Sequence, residues 1–257
     1  MTDPARRREI LVALMSVYHC TASLTKNLGV RGLPMLATLR PARVAEELDD
    51  PAWSGVVAFM RGASSGEAHR SQQYRQLVAA ADALCPHLDD RRAFEMYGML
   101  HLLAAFACAA QHHAEDTTTH LDEAAALADR LDDEVGTFAT LHFGQAIVGM
   151  WRISVATELG DGDRVAELGR AVHPEVIPAS RQSIYWADLG RGLVTDRRTR
   201  DQGIQALTHA EAIAPQRIRN NPLVRETVTG LLCQARRDAG GRELRGLAWR
   251  MGVAPIG

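Results

Sequence analysis

With 257 residues and 46% apolar content, the chain is long enough to bury a large core and lacks the composition of a disordered segment. A formal charge of −2 argues against a nucleic-acid-binding surface, because binding phosphates requires a basic face that releases counterions. Cys20, Cys85, Cys108 and Cys233 stand far apart, so zinc-knuckle and redox C-x-x-C chemistry are excluded and free buried thiols in a reducing cytosol are expected.

In chain order, the opening Arg6-Arg7-Arg8 followed by Ile10 to Tyr18 has a signal-peptide outline, but Asp3 in the basic region and the missing small-x-small site point to a helix instead. Asp3 is its expected N-cap, with Pro4 at the first helical position and Ile10, Leu14, Val17, Leu24 and Leu28 at helical spacing. Pro41 is expected to kink or break the second helix. Further apolar faces follow at Tyr74, Leu77, Val78, Ala81 and Leu84, at Leu121, Ala124, Ala128 and Leu131, at Val148, Trp151, Val155 and Leu159, and at Ile204, Leu207, Ala210 and Ala214. Asp49-Asp50-Pro51, Pro86, Asp132-Asp133, Gly160-Asp161-Gly162, His173-Pro174 and Pro215 separate them with caps and breaks. Strand signals are nearly absent, and about twelve helices fit the pattern. The longest apolar run, Met99 to Ala110, contains His101 and is too short to span a bilayer.

From Gln145 to Val172 and from Arg181 to Pro215, a helix, a short turn and a second helix occupy close to the unit of about 34 residues typical of tetratricopeptide repeats. The expected fold is all-α: a single domain over 1–257, built as a right-handed superhelix of antiparallel helix pairs (a tetratricopeptide-like α-solenoid), with 220–257 as C-terminal capping helices.

Glu158-Leu159-Gly160-Asp161, Glu211 to Pro215, Asn221-Pro222-Leu223-Val224-Arg225-Glu226 and the closing Leu244 to Val253 resemble the C-terminal repeat domain of bacterial XRE-type helix-turn-helix transcription regulators. Ser23 to Pro51 and Leu121 to Leu131 fit the same resemblance, which covers most of the chain. In that family a DNA-binding helix-turn-helix precedes the repeats; here the repeat pattern is running by Ile10, so no such module is expected in this chain. The family usually carries Asn and His at the places of Ile147 and Trp151. The resemblance implies a cytoplasmic, bacterial sensor domain that binds a ligand, peptide or protein; the alternative is a stand-alone adaptor joining two proteins.

No catalytic motif occurs, and an enzyme is not expected. His112, His113, Glu115, Asp116 and His120 form the densest metal-capable cluster but sit at an expected helix-to-helix turn, where polar side chains belong; neither metal nor cofactor is expected. Trp53, Trp151, Trp186 and Trp249, with Tyr97, Tyr185, Phe106 and Phe143, read as core packing. A concave groove formed by the first helix of each pair would bring together His101, Met150, Ser154 and Arg191, with Arg191 as the charged anchor. Such a mostly small and apolar surface suits a peptide or partner helix, with a small-molecule effector and a homodimer left open and no nucleic acid or membrane expected.

Overall fold

The computed structural model describes residues 3–30, 32–65, 69–131, 135–235 and 241–253. Among these it is all-helical: α1 (Pro4–Asn27), α2 (Leu33–Leu36), α3 (Leu39–Leu48), α4 (Pro51–Ser64), α5 (Arg70–Leu84), α6 (Arg91–Ala109), α7 (Ala114–Asp129), α8 (Gln145–Glu158), α9 (Gly162–Ala171), α10 (Ala179–Leu193), α11 (Arg200–Ile213), α12 (Pro215–Arg219), α13 (Pro222–Ala235) and α14 (Arg242–Arg250). The expected break at Asp132-Asp133 lies outside the described residues.

The helix boundaries follow local chemistry. Asp3 accepts a bond from the Ala5 amide at 3.2 Å, so α1 begins where its cap and Pro4 place it. The Asp50 and Asp90 carboxylates cap α4 and α6 through the amides of Ala52 and Arg92, and Asp161 caps α9 after Gly160 turns the chain at φ 76°. Pro41 neither kinks nor breaks a helix: it is the third residue of α3, where no intrahelical partner for its missing N–H is required, and the break lies earlier, between Leu36 and Leu39. The pairs α8/α9 and α10/α11 fall where the spacing of Gln145–Val172 and Arg181–Pro215 put them.

The chain divides into two compact units, Met1–Lys26 with Val30–Trp151, and Asn27–Gly29 with Arg152–Gly257. The first is built around α6, which is buried on nearly all sides: Met96, Met99, Leu100, Leu102, Ala104 and Ala105 are covered by α4, α5 and α7. Small residues let these helices close up. A side chain at Gly98 would occupy the place of the Phe143 ring, and one at Gly55 would strike Met96. In the second unit Ala187, Val194, Ile204, Leu207, Ile218, Val228 and Leu247, from α10 to α14, form a single cluster.

Two expectations about side chains are corrected. Of the four cysteines only Cys108 is buried; Cys20, Cys85 and Cys233 are exposed, because each stands off the buried face of its segment. Trp249 is 85% exposed and takes no part in the core, whereas Trp53, Tyr185 and Phe143 are buried as expected. No helix among the described residues is long and apolar enough to cross a membrane.

Candidate functional site

The residues expected to line a groove are engaged inside their own units. In the second unit, the Ser154 hydroxyl donates to the Asp188 carboxylate at 2.5 Å, and the Arg191 guanidinium binds Asp188 at 3.2 Å and Glu158 at 2.8 Å. Ser154 and Arg191 are thus brought together around Asp188. The Arg191 side chain is 11% exposed, so this pairing is screened little; two carboxylates engage the guanidinium, while its buried Nε–H has no hydrogen-bond partner among the described residues. Burial raises the Asp188 carboxyl above its ordinary range despite Arg191 and Ser154; the two carboxylates raise Arg191 in turn against the cost of its burial. Met150, on α8 in the first unit, is buried at 2%.

His101 lies in a half-buried cluster between α5, α6 and α7. Its Nδ1 is 3.1 Å from Nδ1 of His120, whose Nε2 is 3.2 Å from the Tyr74 hydroxyl. The Tyr97 ring leans on His101 at 4.5 Å between centroids and donates its hydroxyl to Glu123. Burial, reinforced by the neighbouring His120, lowers the His101 pKa to about 4; burial also lowers His120, against the opposing pull of Asp116 and Glu123. Both rings are therefore neutral at pH 7. His120 turns inward, although the sequence places it with the polar residues of a solvated turn; the signal was its spacing from Leu121, Ala124 and Ala128 on the inner side of α7. Among the described residues no group of three or more His, Cys, Asp or Glu is arranged to hold a metal. The cluster is a half-buried hydrogen-bonded network that also takes in the Cys108 thiol through Tyr74, with Asp116 and Glu123 beside it.

An open cleft of about 320 Å³ lies in the first unit between the capped ends of α4 and α6. Arg92 bridges Asp50 at 2.8 Å and Asp90 at 2.6 Å, while Arg8 reaches Asp50 at 2.5 Å. These ion pairs and the two helix N-termini capped by Asp50 and Asp90 tie α1, α4 and α6 together, and Asp49, His87 and Asp89 also line the cleft.

The remaining feature is a surface. The residues that carry the periodicity of α1 face outward: Ile10 is 50% exposed, Leu14 38%, Val17 59% and Leu24 59%. The helix is fastened to its unit by another side, with Leu11, Met15 and Ala22 buried about 120° around the axis from that stripe. No Asp, Glu, Lys or Arg stands between Glu9 and Lys26, so the outward stripe has no charged residue within it. Thr21 joins the stripe with its hydroxyl bonded back to the Val17 carbonyl at 2.8 Å, which leaves its methyl outward. An exposed apolar stripe along a 24-residue helix is a costly way to face water, and patches of this kind mark interaction sites. No protein-family model matches the chain, and neither does any curated protein or solved structure.

Proposed function

We propose that the chain is a protein-binding helical scaffold that receives a helical segment of another polypeptide along α1. The observation that carries this reading is the uncharged, outward-facing stripe of Ile10, Leu14, Val17 and Leu24. A helix laid against such a stripe removes apolar surface from water at no cost in buried charge. Binding rather than catalysis is the work assigned to it. The groove of His101, Met150, Ser154 and Arg191 takes no part, because those side chains are buried or bonded internally.

In this reading the helix pairs belong to a right-handed tetratricopeptide-like superhelix. The short connection that returns α7 against α6 and the pairing of α10 with α11 support it. The resemblance at Glu158–Asp161, Glu211–Pro215 and Leu244–Val253 adds a role as the sensor part of a transcription regulator, and rests on those residues alone.

Lys26, at the end of α1, is the only lysine, so an amine-reactive cross-linker reports almost entirely from this helix. Cross-linking in a lysate of the source cells is expected to join Lys26 to another polypeptide, and Leu14→Glu with Leu24→Glu to abolish that product without changing the helical circular dichroism. A product that survives both substitutions, or no product at all, would show the reading to be wrong.

A further inference from the structure

The spacing of the stripe is more informative than its hydrophobicity. Ile10, Leu14, Val17, Thr21 and Leu24 follow one another within α1 at intervals of 4, 3, 4 and 3 residues, which is the a/d seam of a coiled coil. A helix facing a globular core carries a wider stripe; a narrow seam of period 3.5 is the signature of one helix packing along another. The seam is outward and has no helix of its own unit upon it.

We infer that the occupant is α1 of a second copy of this chain, packed antiparallel across a two-fold axis near residue 19. This rests on the protein-binding reading and names its partner. Antiparallel pairing matches the seam to itself: Leu14 meets the second copy's Leu24 and Val17 meets the second copy's Thr21, so each of these layers sets an a position against a d position. The flank that both copies present beside the seam consists of Ala13 and Cys20, small and exposed, which lets the two backbones approach closely. The seam has no charge that would repel its duplicate. A partner of opposite charge is not called for, and a self-complementary stripe is what a two-fold interface requires. The macrodipoles oppose head to tail, and the basic Arg6-Arg7-Arg8 of each copy lies toward the carbonyl end of the other helix.

The exposed fractions of Ile10, Leu14, Val17 and Leu24 leave on the order of 400 Å² of apolar side chain per copy, within the range of the largest patches on monomers. Ala13, Cys20 and the main chain beside the seam add to this, toward the ~800 Å² per partner of a specific interface.

The arrangement places the two copies of Cys20 directly across the two-fold from each other, on the open flank. The test is sedimentation equilibrium of the full chain together with mild oxidation of a variant carrying Cys85→Ser and Cys233→Ser, in which Cys20 is the one exposed thiol left among the described residues. The expected result is a species of twice the 28.1 kDa chain mass, a covalent dimer through Cys20 on oxidation, and loss of both with Val17→Glu at unchanged helicity. The substitution should weaken dimerisation on the order of a hundredfold or more, since it buries two carboxylates in the seam. A dimer indifferent to Val17→Glu overturns the inference, as does a dimer that depends on Val17 but never cross-links through Cys20, which would be parallel. A monomer at high micromolar concentration also overturns it, and the remaining arms then identify the occupant. If Lys26 still cross-links to a foreign polypeptide in a Val17-dependent way, the partner is a different protein and the binding reading stands. If the monomer instead floats with phosphatidylcholine–phosphatidylglycerol vesicles, the occupant is a lipid surface and both readings fail.

Discussion

Arg191 shows how a side chain that looks like a ligand anchor becomes structural once its neighbours are placed. Its partners are Asp188, three residues earlier on α10, and Glu158, at the end of α8, and nothing in the chain says which turn of α8 meets α10. Arg191→Ala is expected to lower stability by about 3 kcal/mol in urea unfolding, since it strands a buried carboxylate. Asp188→Asn should cost much less, because the amide oxygen still accepts from Ser154 and Glu158 still holds the guanidinium. Equal losses from the two substitutions would contradict this account. The His101–His120 pair supplies a pH dependence. Burial lowers both folded pKa values, that of His101 to about 4, so between the ordinary histidine value near 6.5 and about 4 the unfolded chain binds a proton that folded His101 refuses, and His120 acts in the same direction. Stability should fall on the order of 1–2 kcal/mol as pH drops through that window, and a chain with His101→Leu should show a flatter profile.

At the scale of elements, caps and spacing located most helices, and packing decided what they do. The α10/α11 contact depends on two glycines: a Cβ at Gly203 would stand 2.9 Å from the Gly190 carbonyl oxygen and 2.8 Å from the Val194 amide nitrogen. These are backbone atoms and cannot yield, so Gly203→Ala is expected to cost about 2 kcal/mol or more. Gly230 on α13 has nothing within 4 Å of its Cβ position, and Gly230→Ala should stabilise by about 0.5–1 kcal/mol. Thermal melts of the two variants should therefore move in opposite directions. Neither glycine could be told from the other in the sequence, since close approach of a second helix leaves no local mark. The same holds for α1. Its apolar spacing reads plainly, but Leu11, Met15 and Ala22 are apolar too, and only the fold shows which face is inside.

For the molecule as a whole, composition excluded more than it identified. An all-helical chain with a net charge of −2 was legible from the outset; the partner was not, because a seam is an interaction surface only once it is known to face outward. Since no Asp, Glu, Lys or Arg lies between Glu9 and Lys26, the proposed association along α1 draws on apolar burial and not on ion pairs. Raising sodium chloride from about 50 to about 500 mM should leave that association unchanged or slightly stronger in sedimentation, where an electrostatic interface would weaken steeply.

The contact between His101 and His120 joins like atoms, Nδ1 to Nδ1, and this constrains where the protons reside. A neutral imidazole carries one N–H, so a bond between two such nitrogens requires one ring to hold its proton there and the other to hold it at Nε2. If His101 donates, His120 is the Nε2–H tautomer and its single N–H points at the Tyr74 oxygen; if His120 donates, Tyr74 must donate to it in turn, and His101 becomes the Nε2–H ring. The chain of bonds can thus run in either of two directions, and reversing it exchanges the tautomers of both rings together. Nitrogen-15 chemical shifts of the imidazoles should accordingly show one ring of each tautomer at neutral pH, never two alike.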